Sequence, residues 1–334
     1  APPFASSSYS EVSGDLQYVR FLTTAGYGPV RWSGIRIGET AIEEYDEVTI
    51  EAPEGMPDDP RISLYPRQIF EENIGTELTR PVPRDDAGKV ISGPAVETPV
   101  VRYTGLDAAG AYAIFSFPSG LVSFDKKGKR HPMTVLIRIR QRLAGTTDWQ
   151  LVDTASIQRR QTEGFNVSFE WAFPSRGRWE VEFTRMTTEH ISDRIQSRSV
   201  LSVLQTIRPE YPLAFARPLA LMAGRIKATH QLNGTLDTLN AMCAVLCLDY
   251  DHVTGVWVPR ETSNPASLFL HVLRSGALAR PVPDAAIDIP LLQDWHDYCR
   301  IKGLKYDRVI DFEISLRDLL AEIAAAGRAR QRHD

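Results

Sequence analysis

Thr134-Val135-Leu136-Ile137-Arg138-Ile139-Arg140 decides the fold of the middle of this chain. Val135, Ile137 and Ile139 share one parity while Arg138 and Arg140 share the other, the period of an extended strand with one face inside and one outside. Arg178-Trp179-Glu180-Val181-Glu182-Phe183-Thr184 repeats the arrangement, with Trp179, Val181 and Phe183 facing inward on a neighbouring strand. Further alternating runs lie at Ala113 to Phe117, Trp149 to Val152 and Gly164 to Trp171. Turn formers such as Lys126-Lys127-Gly128-Lys129 and Pro174-Ser175-Arg176-Gly177 separate them, so residues 96–208 read as an antiparallel β-sandwich.

Upstream, residues 1–95 read as short strands and loops. In Gly26-Tyr27-Gly28-Pro29-Val30-Arg31-Trp32-Ser33-Gly34-Ile35-Arg36-Ile37-Gly38-Glu39-Thr40, closely spaced glycines punctuate a short alternating run, giving turn, strand, turn and strand. Ile42, Val48 and Ile50 continue the β pattern until Pro53, Gly55, Pro57 and Pro60 break it. One short helix is expected at Arg67 to Asn73, and Pro81 to Pro99 form a polar connection.

Downstream, residues 209–334 read as α+β. Thr235 stands before Leu236, Leu239, Met242, Cys243 and Leu246, spaced three and four apart, which predicts a capped amphipathic helix. Leu248 to Tyr250 and Val256 to Val258 flank a turn and predict a hairpin. Asn264 with Pro265 opens a second helix that Gly276 closes, Pro290 to Lys302 gives a third ended by Gly303, and Ser315 with Asp318 resembles the capping box of a fourth. The fold class expected is therefore multidomain and mainly β: a β-rich domain, an inserted antiparallel sandwich and a C-terminal α+β part.

The 334 residues carry 43% hydrophobic and 24% charged side chains, ordinary for a globular protein of two or three domains. A formal charge of -4 and a pI near 6.0 argue against a nucleic-acid surface over the whole chain, because phosphate neutralisation needs a basic face. No apolar run reaches the ~20 residues of a membrane span, and no signal peptide is read. The chain opens Ala1-Pro2-Pro3 and ends in the basic Gly327 to Asp334, which reads as an internal piece of something longer, its last domain truncated. Cys243, Cys247 and Cys299 are too few for a disulfide framework and favour a reducing compartment. Without a second ligand pair they make a poor zinc site and read as buried small hydrophobes.

Chemistry is sparse. No Gly-x-Ser-x-Gly elbow, P-loop, Gly-x-Gly-x-x-Gly or His-Glu-x-x-His occurs, and the histidines are scattered singly. Catalytic, cofactor-binding and metal residues are therefore assigned to none, and no cofactor is expected. Asp249, Asp251 and His252 beside the predicted hairpin are the best metal candidate, weighed against a solvated turn that fits better. Asp58 and Asp59 are adjacent on an extended chain and point apart. Basic residues cluster at Lys126 to Arg130, at Arg138, Arg140 and Arg142, and at Arg328 to Arg332; hairpin tip, strand face and frayed terminus are the ordinary readings. Trp149, Trp171 and Trp179 fit a sandwich core better than a sugar-stacking platform.

Two regions carry a resemblance. The Gly26 to Thr40 block with Asp59-Pro60-Arg61-Ile62-Ser63-Leu64-Tyr65-Pro66 and Phe70-Glu71-Glu72, then Ile226-Lys227-Ala228-Thr229-His230-Gln231-Leu232-Asn233-Gly234 with Asn264-Pro265-Ala266, Ile287-Asp288, Leu292, Trp295 and Cys299, resemble the tail-tip attachment, host-specificity protein J family of long-tailed bacteriophages. The middle resembles it in layout, with a Phe-Pro-x-Gly-Leu run at Phe117 to Leu121. The resemblance implies a non-enzymatic, prophage-encoded hub at the distal end of a tail, self-associated as a homotrimeric ring. Other tail proteins would be partners, and the host receptor would be met through regions outside these residues, with no nucleic acid and no membrane span. It places the protein in the virion tail after assembly in the bacterial cytoplasm. A reading of another class makes the sandwich a carbohydrate- or cell-wall-binding or hydrolytic module, which a groove lined by the tryptophans with converging acids would favour.

Overall fold

Two four-stranded antiparallel sheets face each other in the middle of the chain. One runs in the order β12 (Gln150–Arg159), β11 (Met133–Leu143), β14 (Trp179–Arg185), β7 (Val100–Tyr103). The other runs β13 (Phe165–Gly177), β8 (Ala108–Phe117), β16 (Val200–Arg208), β6 (Gln68–Glu77). This computed structural model describes residues 4–190, 192–208, 218–228, 239–310 and 312–330. Val135, Ile137, Ile139, Val181 and Phe183 are fully buried between the sheets, and Trp179 nearly so, as their parity requires. Phe115 meets Phe183 edge-on with centroids 5.7 Å apart, and Phe173 stacks on Trp179 at 4.8 Å. A small sheet of β10 (Arg130–His131), β9 (Val122–Phe124) and β15 (Ile195–Gln196) closes one end.

The helix expected at Arg67 to Asn73 is not formed: this segment is β6, laddered against β16 from Gln68↔Arg208 to Glu77↔Val200. The segment is too short to nucleate a helix alone, and the open edge of β16 supplies a full row of hydrogen-bond partners.

The sandwich hangs from a second sheet, ordered β1 (Phe4–Ser13), β2 (Leu16–Tyr27), β17 (Leu219–Lys227), β5 (Val48–Glu51). β17 pairs antiparallel with β2 from Leu219↔Tyr27 to Lys227↔Tyr18, so the chain leaves this sheet, builds the sandwich and returns. Here Gly224 is a packing requirement: a Cβ at that position would lie 2.3 Å from Cε1 of the fully buried Phe21. Met222 and Ile226 complete that core with Val19.

A third unit is ordered β19 (Val256–Glu261), β18 (Leu239–Asp251), β3 (Val30–Ile37), β4 (Thr40–Ala41). The expected helix from Thr235 to Leu246 is corrected here. Thr235 and Leu236 lie outside the described residues, and Leu239 to Leu246 are extended within β18. β18 pairs with β3 through Val245 and with β19 from Leu246, so two partners stabilise one long strand. An almost unbroken apolar run satisfies helical and extended spacing alike, and the partners decide it. The hairpin forms as expected, with Tyr250 opposite Trp257.

Three helices follow among the described residues. α1 (Pro265–Arg274) starts at Asn264, whose side chain accepts from Ala266 N. α2 (Ile289–Lys302) is capped by Asp288 and ended by Gly303 at φ 64°, and α3 (Leu316–Ala326) starts at Ser315, which accepts from Asp318 N. They pack through Phe269 against Trp295 and through the Trp295 Nε1 bond to Gly327 O at 2.9 Å.

Candidate functional site

Alternation on β11 and β14 leaves a second set of side chains on the outer face of the sandwich, and there the basic stripe is neutralised. Arg140 forks onto Glu182 at 2.9 and 2.7 Å, and Arg142 donates to Glu180 at 3.1 and 2.7 Å. Arg138 reaches Glu97 at 2.9 Å. Burial alone would raise the Glu182 carboxyl, but hydrogen bonds from Arg140 and Thr184 outweigh it and hold it below the usual range. Trp149 lies 4.5 Å beneath the Arg142 guanidinium. Trp179 is in the core, and Trp171 packs against it while donating to Gln141 Oε1 at 3.0 Å. The three tryptophans therefore line no common groove.

Asp249 is 5% exposed and lies where β18 meets the helices. Its Oδ1 accepts from Ser267 Oγ at 2.7 Å, Thr262 Oγ1 at 2.8 Å and His296 Nε2 at 2.8 Å, while Oδ2 accepts from Arg260 Nε at 2.6 Å. Burial pushes this carboxyl up, yet the bonds from His296, Ser267, Thr262 and Arg260 together hold it far below the carboxylate range. Among the described residues the buried His296 Nδ1 has no hydrogen-bond partner, and the imidazole packs edge-on against Tyr250 and Trp257. Ser267 therefore bonds the aspartate and not the imidazole, and the trio lacks the relay that activates a nucleophile. It ties strand to helices.

The metal candidate of Asp249, Asp251 and His252 does not come together. Asp249 is saturated by donors, and Asp251 accepts from Val253 N at 2.9 Å within its turn. His252 is exposed, and among the described residues no group of three or more His, Cys, Asp or Glu is placed to hold a metal ion. Asp59 accepts from Gly55 N and Met56 N at 2.7 Å each, whereas Asp58 is exposed. Cys243 is exposed and Cys247 and Cys299 are buried, all three as free thiols. Burial pushes the Cys247 thiol up to about 12 and that of Cys299 to about 11, which makes them inert. Of the basic C-terminal cluster, Arg332 lies outside the described residues.

Where the second sheet abuts the sandwich there is a polar seam that the sequence did not announce. Glu71 on β6 accepts from Ser10 N at 2.5 Å, Ser10 Oγ at 3.0 Å and Gln205 Nε2 at 2.7 Å. Burial raises the Glu71 carboxyl, and these bonds offset that only in part. Val12 N donates to Tyr112 Oη at 3.1 Å, and a cavity of about 320 Å³ opens beside this network between Arg20, Arg67 and Gln205. The signal in the sequence is an acid pair, Glu71-Glu72, within the segment expected to be a short helix.

Arg185, 2% exposed, was missed too. Its guanidinium donates to Ser197 O at 2.6 Å, Ser199 Oγ at 3.0 Å and Ser197 Oγ at 2.9 Å, pinning the segment between β14 and β16. Desolvation lowers its pKa, and the hydrogen bonds it donates to neutral oxygens keep the charge tolerable.

No curated protein matches the chain. Residues 70–210, which begin in β6 and end just past β16, match the family model "Tip attachment protein J, FNIII-A domain". The matched span coincides with the two facing sheets and their closed core, and over it the chain is similar to the FNIII-A domain of the phage tail tip attachment protein J family.

Proposed function

We propose that this chain is a non-enzymatic structural component of the distal tail hub, with the FNIII-A sandwich inserted into hub-like flanking domains. The match over residues 70–210 carries the reading. The pairing of β2 with β17 on either side of the insert supports it, as does a sandwich interior closed by hydrophobic side chains. On this reading residues 1–95 and 209–334 supply the ring contacts and residues 96–208, with β6, form the pendant module. The full-length protein self-associates as a homotrimer, meets other tail proteins, and reaches the host receptor through regions outside this sequence. It is prophage-encoded, assembles in the bacterial cytoplasm and resides in the virion tail.

Light scattering of the chain across a concentration series tests this. A trimer, or a mass rising towards one, places the ring interface within residues 1–334; a strict monomer at high concentration refutes that placement.

A further inference from the structure

We propose that the end of the sandwich closed by β9, β10 and β15 is a docking surface for a phosphate-bearing glycan. Most arginines of the sandwich are spoken for by carboxylates, as Arg138, Arg140, Arg142, Arg176 and Arg198 show. At this end the balance reverses. Lys126, Lys127, Lys129, Arg130 and Arg194 are all exposed, and among the described residues no carboxylate lies within ion-pair distance of any of them. The acids nearby are Asp125, Asp193 and Glu163. Asp125 Oδ1 accepts from Lys127 N at 2.8 Å and Lys129 N at 2.9 Å, so its charge is committed to shaping the turn. Those amides, Lys129 first, hold its carboxyl below the usual range. Glu163 accepts from Thr162 Oγ1 at 3.1 Å and is felt by Arg130 only at longer range.

Register gives the patch its shape. Arg130 pairs with Phe124 from one side, and on the other Phe124 N donates to Arg194 O at 2.8 Å, one step beyond the Ile195↔Ser123 pair. Directly paired residues of antiparallel strands share a face, so Arg130 projects on the side of the half-buried Phe124, and Arg194 borders the same residue from the turn before β15. Strand spacing places their Cα atoms about 10 Å apart. An apolar ring flanked by two planar forks offers a floor for the C–H face of a sugar and bidentate donors for its phosphate, with the lysine turn adding point charges at the rim. A nucleic acid fits less well: the patch spans a single turn, has one aromatic ring for stacking, and belongs to a chain of net charge -4.

The experiment titrates the intact chain with phosphomannan, with the same mannan after dephosphorylation, and with short duplex DNA, at low and physiological salt. Two variants, K127Q/K129Q and R130Q/R194Q, keep the backbone amides of the turn, and near-UV circular dichroism verifies their fold. Phosphomannan should bind at least tenfold more tightly than neutral mannan, and more weakly as salt rises. Each cation is worth about fivefold, so each double variant should weaken binding roughly 25-fold. Absence of binding, binding indifferent to phosphate, binding unchanged in both folded variants, or duplex DNA bound as tightly as phosphomannan would each overturn the proposal.

Discussion

Replacing Asp249 by alanine removes the acceptor for four donors at once. Arg260 is 47% exposed at its side chain and turns to water, so its loss counts for little. Ser267 is fully buried and His296 is 2% exposed, so their donors cannot follow it. Each stranded buried donor costs about 1–3 kcal/mol, which puts Asp249→Ala at roughly 3–5 kcal/mol. Asp249→Asn keeps one carbonyl for Ser267, Thr262 and His296 but turns their charge-assisted bonds into weaker neutral ones, so it should cost about 1–2 kcal/mol. Native-state hydrogen exchange reads this locally, since a chain of several units need not unfold in one step. Amides of α1 and α2 should lose about 100-fold protection or more in Asp249→Ala, while those of β11 stay as reference. A loss below tenfold in α1, or an Asn variant as damaged as the Ala variant, would refute the reasoning. Because the Asp249 carboxyl is depressed in the folded state, its contribution is complete above its unfolded value of about 3.9 and fades as pH falls through the folded one.

Glu71 carries the opposite sign. Its folded pKa is raised, so wild-type stability should decline as pH rises from the unfolded value through the folded one, whereas Glu71→Gln keeps the acceptor for Ser10 N and should flatten that decline; parallel pH profiles of thermal melting would contradict this. Phe183→Ala should cost about 3–5 kcal/mol in urea unfolding, because the ring is fully buried between the sheets against Phe115 and Trp171; a cost under 1 kcal/mol would mean the cavity collapses freely. Gly224→Ala should destabilise the second sheet by about 1–3 kcal/mol, read as faster exchange of β2 amides; unchanged exchange would show that Phe21 steps aside without penalty.

The sandwich was legible because each strand has two unlike surroundings: Val135, Ile137 and Ile139 against a core, Arg138 and Arg140 against Glu97 and Glu182. Caps were equally legible, since Asn264, Ser315 and Gly303 act through bonds within a few residues. What failed was whatever a distant partner decides. β6 is a strand because β16 lies beside it, and β18 is a strand because β3 and β19 hold its two halves. Asp249 drew notice through its neighbours in sequence, yet its partners arrive from Arg260, Ser267 and His296. Ser10, Glu71 and Gln205 meet across spans no local pattern records.

The insert joins its host through two strands that lie side by side. Gln68 opens β6 opposite Arg208 at the close of β16, so the module's entrance and exit are a directly paired couple, with Cα atoms about 5 Å apart. A domain whose two ends coincide can be excised and its gap closed by a short turn, or exchanged for another of unrelated sequence, without shifting the strands it departs from. On the tail-hub proposal, such a socket lets the outward part of the assembly change quickly while the part that must match its neighbours stays constant.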